Sequence, residues 1–107
     1  MSKFSWVYTT WPDEATARTH AEILVAEHLC ACANIISGMT SVYRWKGKVE
    51  TASETVMILK TTAKQTAKLK DRISELHPYE TACIIALDIN ADASSQSYLN
   101  WLDNQSG

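Results

Sequence analysis

Near the middle of the chain, Ser41-Val42-Tyr43-Arg44-Trp45-Lys46-Gly47-Lys48-Val49-Glu50 reads as the tip of a β-hairpin. Valine and aromatic residues fill the arms, and Lys46-Gly47 sits where a two-residue turn belongs. The arms are long. Strand-compatible sequence runs back from Trp45 to Ala33 and forward from Lys48 to Thr61. An ordinary strand has about 5–6 residues, and a chain of 107 residues cannot cover strands of twice that length. The surplus needs a further partner, and a second copy of the same chain supplies one.

The rest of the chain alternates strands with helices. Phe4 to Thr10 alternates and is rich in aromatic and β-branched residues, so it is read as the first strand. Trp11-Pro12-Asp13-Glu14 stops that strand and opens a helix, with two acids at the positive end of the helix dipole. Ala17, Ala21, Leu24, Val25 and Leu29 follow at helical spacing, which extends this helix to Leu29.

After the hairpin, Thr62-Ala63-Lys64-Gln65 has the form of a capping box. The second helix carries Leu69, Ile73 and Leu76 on one face and ends before Pro78. Cys83 to Ile89 is a nearly continuous apolar run and reads as a buried strand. Ser94 or Ser95 caps a short last helix with Tyr98, Leu99, Trp101 and Leu102, and Asn104 to Gly107 is read as frayed.

The order is βαββαβ, the ferredoxin-like α+β arrangement, with a long hairpin and a short C-terminal helix around a four-stranded antiparallel sheet. Right-handed crossovers put both crossover helices on one sheet face. The other face is left apolar and open, a second reason to expect an oligomer.

Composition narrows the function. The formal charge is −2 with no basic cluster, which argues against a nucleic-acid partner. No apolar run approaches the ~20 residues that span a bilayer, and the first residues lack a long apolar stretch. No membrane association and a cytoplasmic location are therefore expected. Three cysteines, Cys30, Cys32 and Cys83, fit free thiols in a reducing compartment better than a disulfide framework. Cys30 and Cys32 share a face on a strand, where they act either as soft metal donors or as small buried hydrophobes.

The hairpin register carries a further expectation. A turn at Lys46-Gly47 pairs Trp45 with Lys48 and Tyr43 with Glu50, placing Tyr43, Trp45, Glu50 and Glu54 on one face. That face is a binding or subunit-contact wall, or an exposed tip kept wet by its acids. Glu50 and Glu54 are roughly 13 Å apart along a strand, too far for a glycosidase pair.

Several segments together resemble the CutA family of divalent-cation-tolerance proteins. They are Cys30-Ala31-Cys32-Ala33-Asn34-Ile35, Trp45-Lys46-Gly47-Lys48-Val49-Glu50 with Glu54, Lys60-Thr61, and His77-Pro78-Tyr79-Glu80. Pro12-Asp13-Glu14-Ala15 also resembles the family's first helix start. The resemblance implies a non-enzymatic homotrimer, similar to PII signalling proteins, linked to tolerance of copper and other divalent metals. Asn34, Trp45, Glu50, Glu54, Lys60, His77, Tyr79 and Glu80 match the family pattern. Where the family continues with a Pro-Glu pair, Ala82-Cys83 stands here, which removes a carboxylate and adds a thiol. The first strand ends Tyr8-Thr9-Thr10, with no Cys or His to serve as a ligand.

Three functional readings follow. In the first, the trimer binds copper or another divalent cation through Cys32, His77 and Cys83, with Glu80 as a further donor. The competing role for His77 is a helix C-terminal residue stabilised by the dipole. His20 and His28 lie roughly 12 Å apart on the first helix, too far for one ion. In the second, a small anionic molecule binds at a subunit cleft built from Asn34, Trp45, Lys60 and Tyr79, unless Lys60 and Glu80 form an ion pair at the subunit seam. Tyr43, Glu50 and Glu54 belong to the same ligand-binding or interface set. The third, a Cys–His enzyme, lacks any elbow or oxyanion motif beside either cysteine, so no enzymatic activity is expected.

Overall fold

The computed structural model describes residues 2–107. The elements are β1 (Phe4–Trp11), α1 (Glu14–Ala26), β2 (Cys32–Trp45), β3 (Lys48–Thr62), α2 (Ala63–Leu76), β4 (Ile84–Asp88) and α3 (Gln96–Gln105). The strands form one antiparallel sheet in the order β2-β3-β1-β4, the ferredoxin-like arrangement expected from the sequence. The hairpin register is also as expected, with Trp45 opposite Lys48 and Tyr43 opposite Glu50. Lys46 and Gly47 both take positive φ, 49° and 79°, as a type I′ turn requires.

Odd-numbered residues of β1 and β3 face the two crossover helices. Val7, Met57 and Leu59 pack there against Ala17, Ala21 and Leu24 of α1 and Leu69 and Ile73 of α2. Burying one such leucine contributes about 2 kcal/mol. Polar atoms on this side are satisfied: the Trp11 indole N–H donates to Thr9 Oγ1 (2.8 Å), whose hydroxyl donates to the Met57 carbonyl (2.8 Å). Even-numbered residues face the other side. Phe4 and Lys60 lie at one end of that face, where α3 covers them through Leu99, Leu102 and Tyr98.

Five local expectations are corrected. Helix α1 stops at Ala26, short of Leu29, because His28 adopts φ +59°. Its N–H donates to the Val25 carbonyl (3.0 Å) and that of Leu29 to the Leu24 carbonyl (3.2 Å), a Schellman closure made without glycine. The capping box at Thr62 does not form: the Thr62 side chain makes no capping bond, and Gln65 Oε1 is buried without a partner. The chain end is tied down, with the Gly107 N–H donating to the His28 carbonyl (2.7 Å). The run read as a buried strand over Cys83 to Ile89 is the edge strand β4 (Ile84–Asp88), with Ile85 and Leu87 exposed on the sheet's open face. Strand β2 carries an irregularity as well. A bulge lies between Ile36 and Met39, where Gly38 takes φ +80°.

The hairpin outruns the rest of the sheet. Strand β1 pairs with β3 only as far as Trp11 opposite Thr55. Beyond that point β2 and β3 pair only with each other, so Met39–Trp45 and Lys48–Glu54 form a two-stranded ribbon. The molecule measures 44 × 27 × 23 Å in consequence.

Candidate functional site

The bulge at Gly38 keeps Met39, Ser41, Tyr43 and Trp45 in phase with Glu54 on the even face of the sheet. Strand β1 presents Tyr8 and Thr10 on that face, and the segment between α2 and β4 brings Tyr79, Glu80 and Cys83 beside them. Together they line a cleft of about 750 Å³ at the base of the ribbon.

Histidine 77 anchors that segment. It caps the C-terminus of α2, and its ring is buried against Trp11 with centroids 4.2 Å apart. Its Nε2–H donates to the Thr10 carbonyl (2.7 Å), while Nδ1 accepts from the Tyr79 N–H (3.1 Å). The two bonds define the neutral tautomer. Burial lowers its pKa, the Thr10 carbonyl pulls it up, His20 lowers it and Glu54 raises it. Its neighbour Tyr79 donates its hydroxyl to Glu54 Oε2 (3.0 Å). Burial first, and then this carboxylate, push the phenol up to about 12, so it keeps its proton.

The residues singled out in the sequence fall into two groups. Tyr43, Trp45, Glu54, Tyr79, Glu80 and Cys83 line the cleft, and Glu50 lies opposite Tyr43 on the ribbon, outside the lining. Cys32, Asn34 and Lys60 lie at the other end of the sheet. There the Cys32 thiol donates to Asn34 Oδ1 (3.5 Å), and Lys60 Nζ donates to the Tyr98 hydroxyl (3.4 Å) over its ring. Lys60 therefore meets Tyr98, not Glu80, within one subunit. Tyr8, Thr10 and Met39 were missed. The alternation of β1 carried the signal for the first two, and a glycine inside a strand pattern carried it for Met39.

The metal candidates do not converge within a subunit. Cys32 shares a row with Lys60 and Trp6, whereas Ile84 pairs with Thr9, which sets Cys83 level with Thr10. The two thiols are separated by about 13 Å along the strands and about 14 Å across them. Both His77 ring nitrogens are already engaged. Among the described residues no three His, Cys, Asp or Glu side chains gather as a metal site, so one subunit does not fit a resident copper ion. Cys30 and Cys83 are not activated either. Burial, and then Cys32, push Cys30 up to about 12. Burial raises Cys83 against a hydrogen bond with Thr10 that lowers it. A nucleophilic cysteine needs the opposite shift.

Known proteins place this architecture. The divalent-cation tolerance protein CutA of Thermus thermophilus is 45% identical over 101 residues, covering 94% of this chain and 96% of that protein. Its solved structure superposes with a TM-score of 0.92 at 43% identity, over 97% of this chain and 99% of that one. Human protein CutA is 39% identical over 92% of this chain, which spans 54% of the human protein's length. The structure of the PII-like protein CutA from Nostoc superposes with a TM-score of 0.90 at 30% identity, covering 96% of this chain and 97% of that one. A relative from Archaeoglobus fulgidus, named a periplasmic divalent cation tolerance protein, does so with 0.90 at 33% identity, over 95% and 97% of the two chains. The model of the CutA1 divalent ion tolerance protein family matches residues 5–105, and the chain belongs to that family.

Proposed function

We propose that the chain acts as a non-enzymatic homotrimer in divalent-cation tolerance, in the cytoplasm. The observation that carries the assembly is the ribbon beyond Thr55. Each of its two strands has only the other as a partner, and it exposes Val42 and Val49 (66% each) on one face and Tyr43 and Trp45 on the other. A two-stranded ribbon alone is marginal in water. Exposed Ile36, Ile85 and Leu87 continue the even face and supply the remaining surface for a second copy to cover. The three free thiols fit a reducing compartment, although the Archaeoglobus relative carries a periplasmic name.

Direct copper binding is the finer form of this reading. Cys32, His77 and Cys83 are its proposed donors, and a site using all three draws on more than one subunit. Native mass spectrometry with added copper tests both parts. The reading expects a trimer whose bound copper falls when Cys32→Ser or Cys83→Ser is introduced. A monomer overturns the assembly, and copper uptake unchanged by both substitutions overturns the donor set.

A second reading is a sensor that binds a small molecule at the cleft. It is favoured by the convergence there of Tyr43, Trp45, Glu54, Tyr79 and Glu80. Under that reading the metal phenotype is indirect.

A further inference from the structure

A ring of three copies cannot close through a self-complementary contact. A two-fold contact uses the same patch on both sides and stops at a pair, so each seam of a trimer joins two different patches of the chain. Two such patches lie at opposite ends of the open sheet face.

The first is the cleft at the ribbon base. Tyr43, Trp45 and Tyr79 wall it together with the carboxylates of Glu54 and Glu80, and no Lys, Arg or His among the described residues does. Glu54 Oε2 accepts the Tyr79 hydroxyl, and neither carboxylate is in an ion pair among the described residues.

The second patch surrounds Lys60. Among the described residues it is the one charged side chain that the four-stranded part of the sheet, outside the ribbon, places on its open face. Its Nζ lies over the Tyr98 ring and donates to the Tyr98 hydroxyl, and it meets no carboxylate. Trp101 packs against Tyr98 with centroids 5.5 Å apart, and the two rings are 39% and 44% exposed, Tyr98 first.

A second copy that covers the open face takes water from the Lys60 ammonium. A covered ammonium is costly unless a carboxylate meets it. The chain's own cleft cannot supply one, because Glu54 lies about 20 Å from Lys60 along β3. Glu54 and Glu80 meet the same penalty with the opposite sign when the cleft is covered. The two patches are therefore complementary in charge, and each carries exposed aromatic rings of the kind that anchor subunit contacts.

We propose that the trimer closes head to tail: the acidic cleft of each subunit receives the Lys60–Tyr98 corner of the next, and the Lys60 ammonium pairs there with Glu80 of the partner subunit. The occupant of the cleft is a second copy of this chain. This seam rests on the trimer proposed above, and it fills the cleft that the small-molecule reading needs empty.

Charge reversal in the full chain tests the seam, read by sedimentation equilibrium across a dilution series, with circular dichroism to follow helix content. Lys60→Glu and Glu80→Lys each set like charges against one another at every seam. Each is expected to raise the concentration at which the trimer dissociates by at least about tenfold. Combined in one chain, the two reversals restore an opposite-sign pair and bring that concentration back to within about threefold of the parent's. Glu50→Lys, outside the cleft lining, gives no such rescue of Lys60→Glu. Where a reversal lowers helix content, Lys60→Met and Glu80→Gln take its place. Their double variant is expected to lose less than the two single losses added, and strictly additive losses overturn the seam.

A trimer indifferent to both reversals, no recovery in the combined variant, or equal rescue by Glu50→Lys overturns the seam and leaves the trimer standing. A parent chain that stays monomeric throughout overturns the trimer reading and the seam with it.

Discussion

The two halves of β3 follow the same alternation in different surroundings. From Thr55 to Thr62 the strand lies between β2 and β1, and all but Ile58 and Lys60 are buried. From Lys48 to Glu54 it has β2 alone, and none is buried. The change falls at Thr55, where β1 ends opposite Trp11. The outer half carries more Lys, Glu and Ala, which strands disfavour. Yet the same residue type fares differently on the two sides: Val49 is exposed and Val56 is buried, so neighbours decide burial. The inner half is completed by the chain's own helices, whereas the outer half belongs to a ribbon that exposes Val42, Tyr43, Trp45 and Val49 and that, on the proposed reading, another copy completes.

That contrast is broken most severely from the inside. Leu59 is fully buried in the inner half, so Leu59→Ala costs about 3 kcal/mol of stability. Chemical denaturation reads this as a lower midpoint. A loss below about 1 kcal/mol would mean that the inner half is not the self-sufficient part. Trp45→Ala, on the ribbon strand β2 that pairs with the outer half, acts on association instead. As an aromatic anchor it costs about 2 kcal/mol per subunit contact. Dilution series then show dissociation at higher protein concentration, with the helix content of each subunit intact. Unchanged assembly would remove the ribbon tip from the interface.

Legibility followed the same division. The turn at Lys46-Gly47 and the hairpin register were readable because alternation and a glycine determine them locally. The bulge was not, because Gly38 looked like one more strand residue until the register on both sides was known. The end of α1 was missed because His28 takes a left-handed conformation usually left to glycine. The capping box at Thr62 was legible only as a pattern: the Thr62 side chain caps no N–H, and Gln65 Oε1 is buried without a partner. For the site, the residues were recognisable but their grouping was not. Lys60 and Tyr79 separate only when the sheet order and the position of α3 are known.

Smaller effects sharpen the comparison. Gly38→Ala meets no atom within 4 Å, so its cost is backbone strain at φ +80°, about 1 kcal/mol. Because the bulge aims the ribbon, assembly should weaken more than subunit folding, and equal effects on the two would deny it that aiming role.

The weakest effect is on pH dependence. Burial holds His77 below the usual value of 6.5, so between its two pKa values the unfolded chain binds the proton more readily than the native one. This contribution is complete above that usual value and is lost as pH falls through the lowered native pKa. Protonation also places a second donor on Nδ1 against the Tyr79 N–H. Denaturation midpoints of the parent should fall between about pH 7 and pH 5.5 more than those of His77→Gln, and parallel curves would show that His77 carries no such linkage.

Sedimentation equilibrium of the unmodified chain across a wide dilution series addresses the central claim most directly. The account predicts a particle of three times the 11.9 kDa chain mass that dissociates only on strong dilution. A stable, fully folded monomer at micromolar concentration, with its ribbon bare, would contradict it.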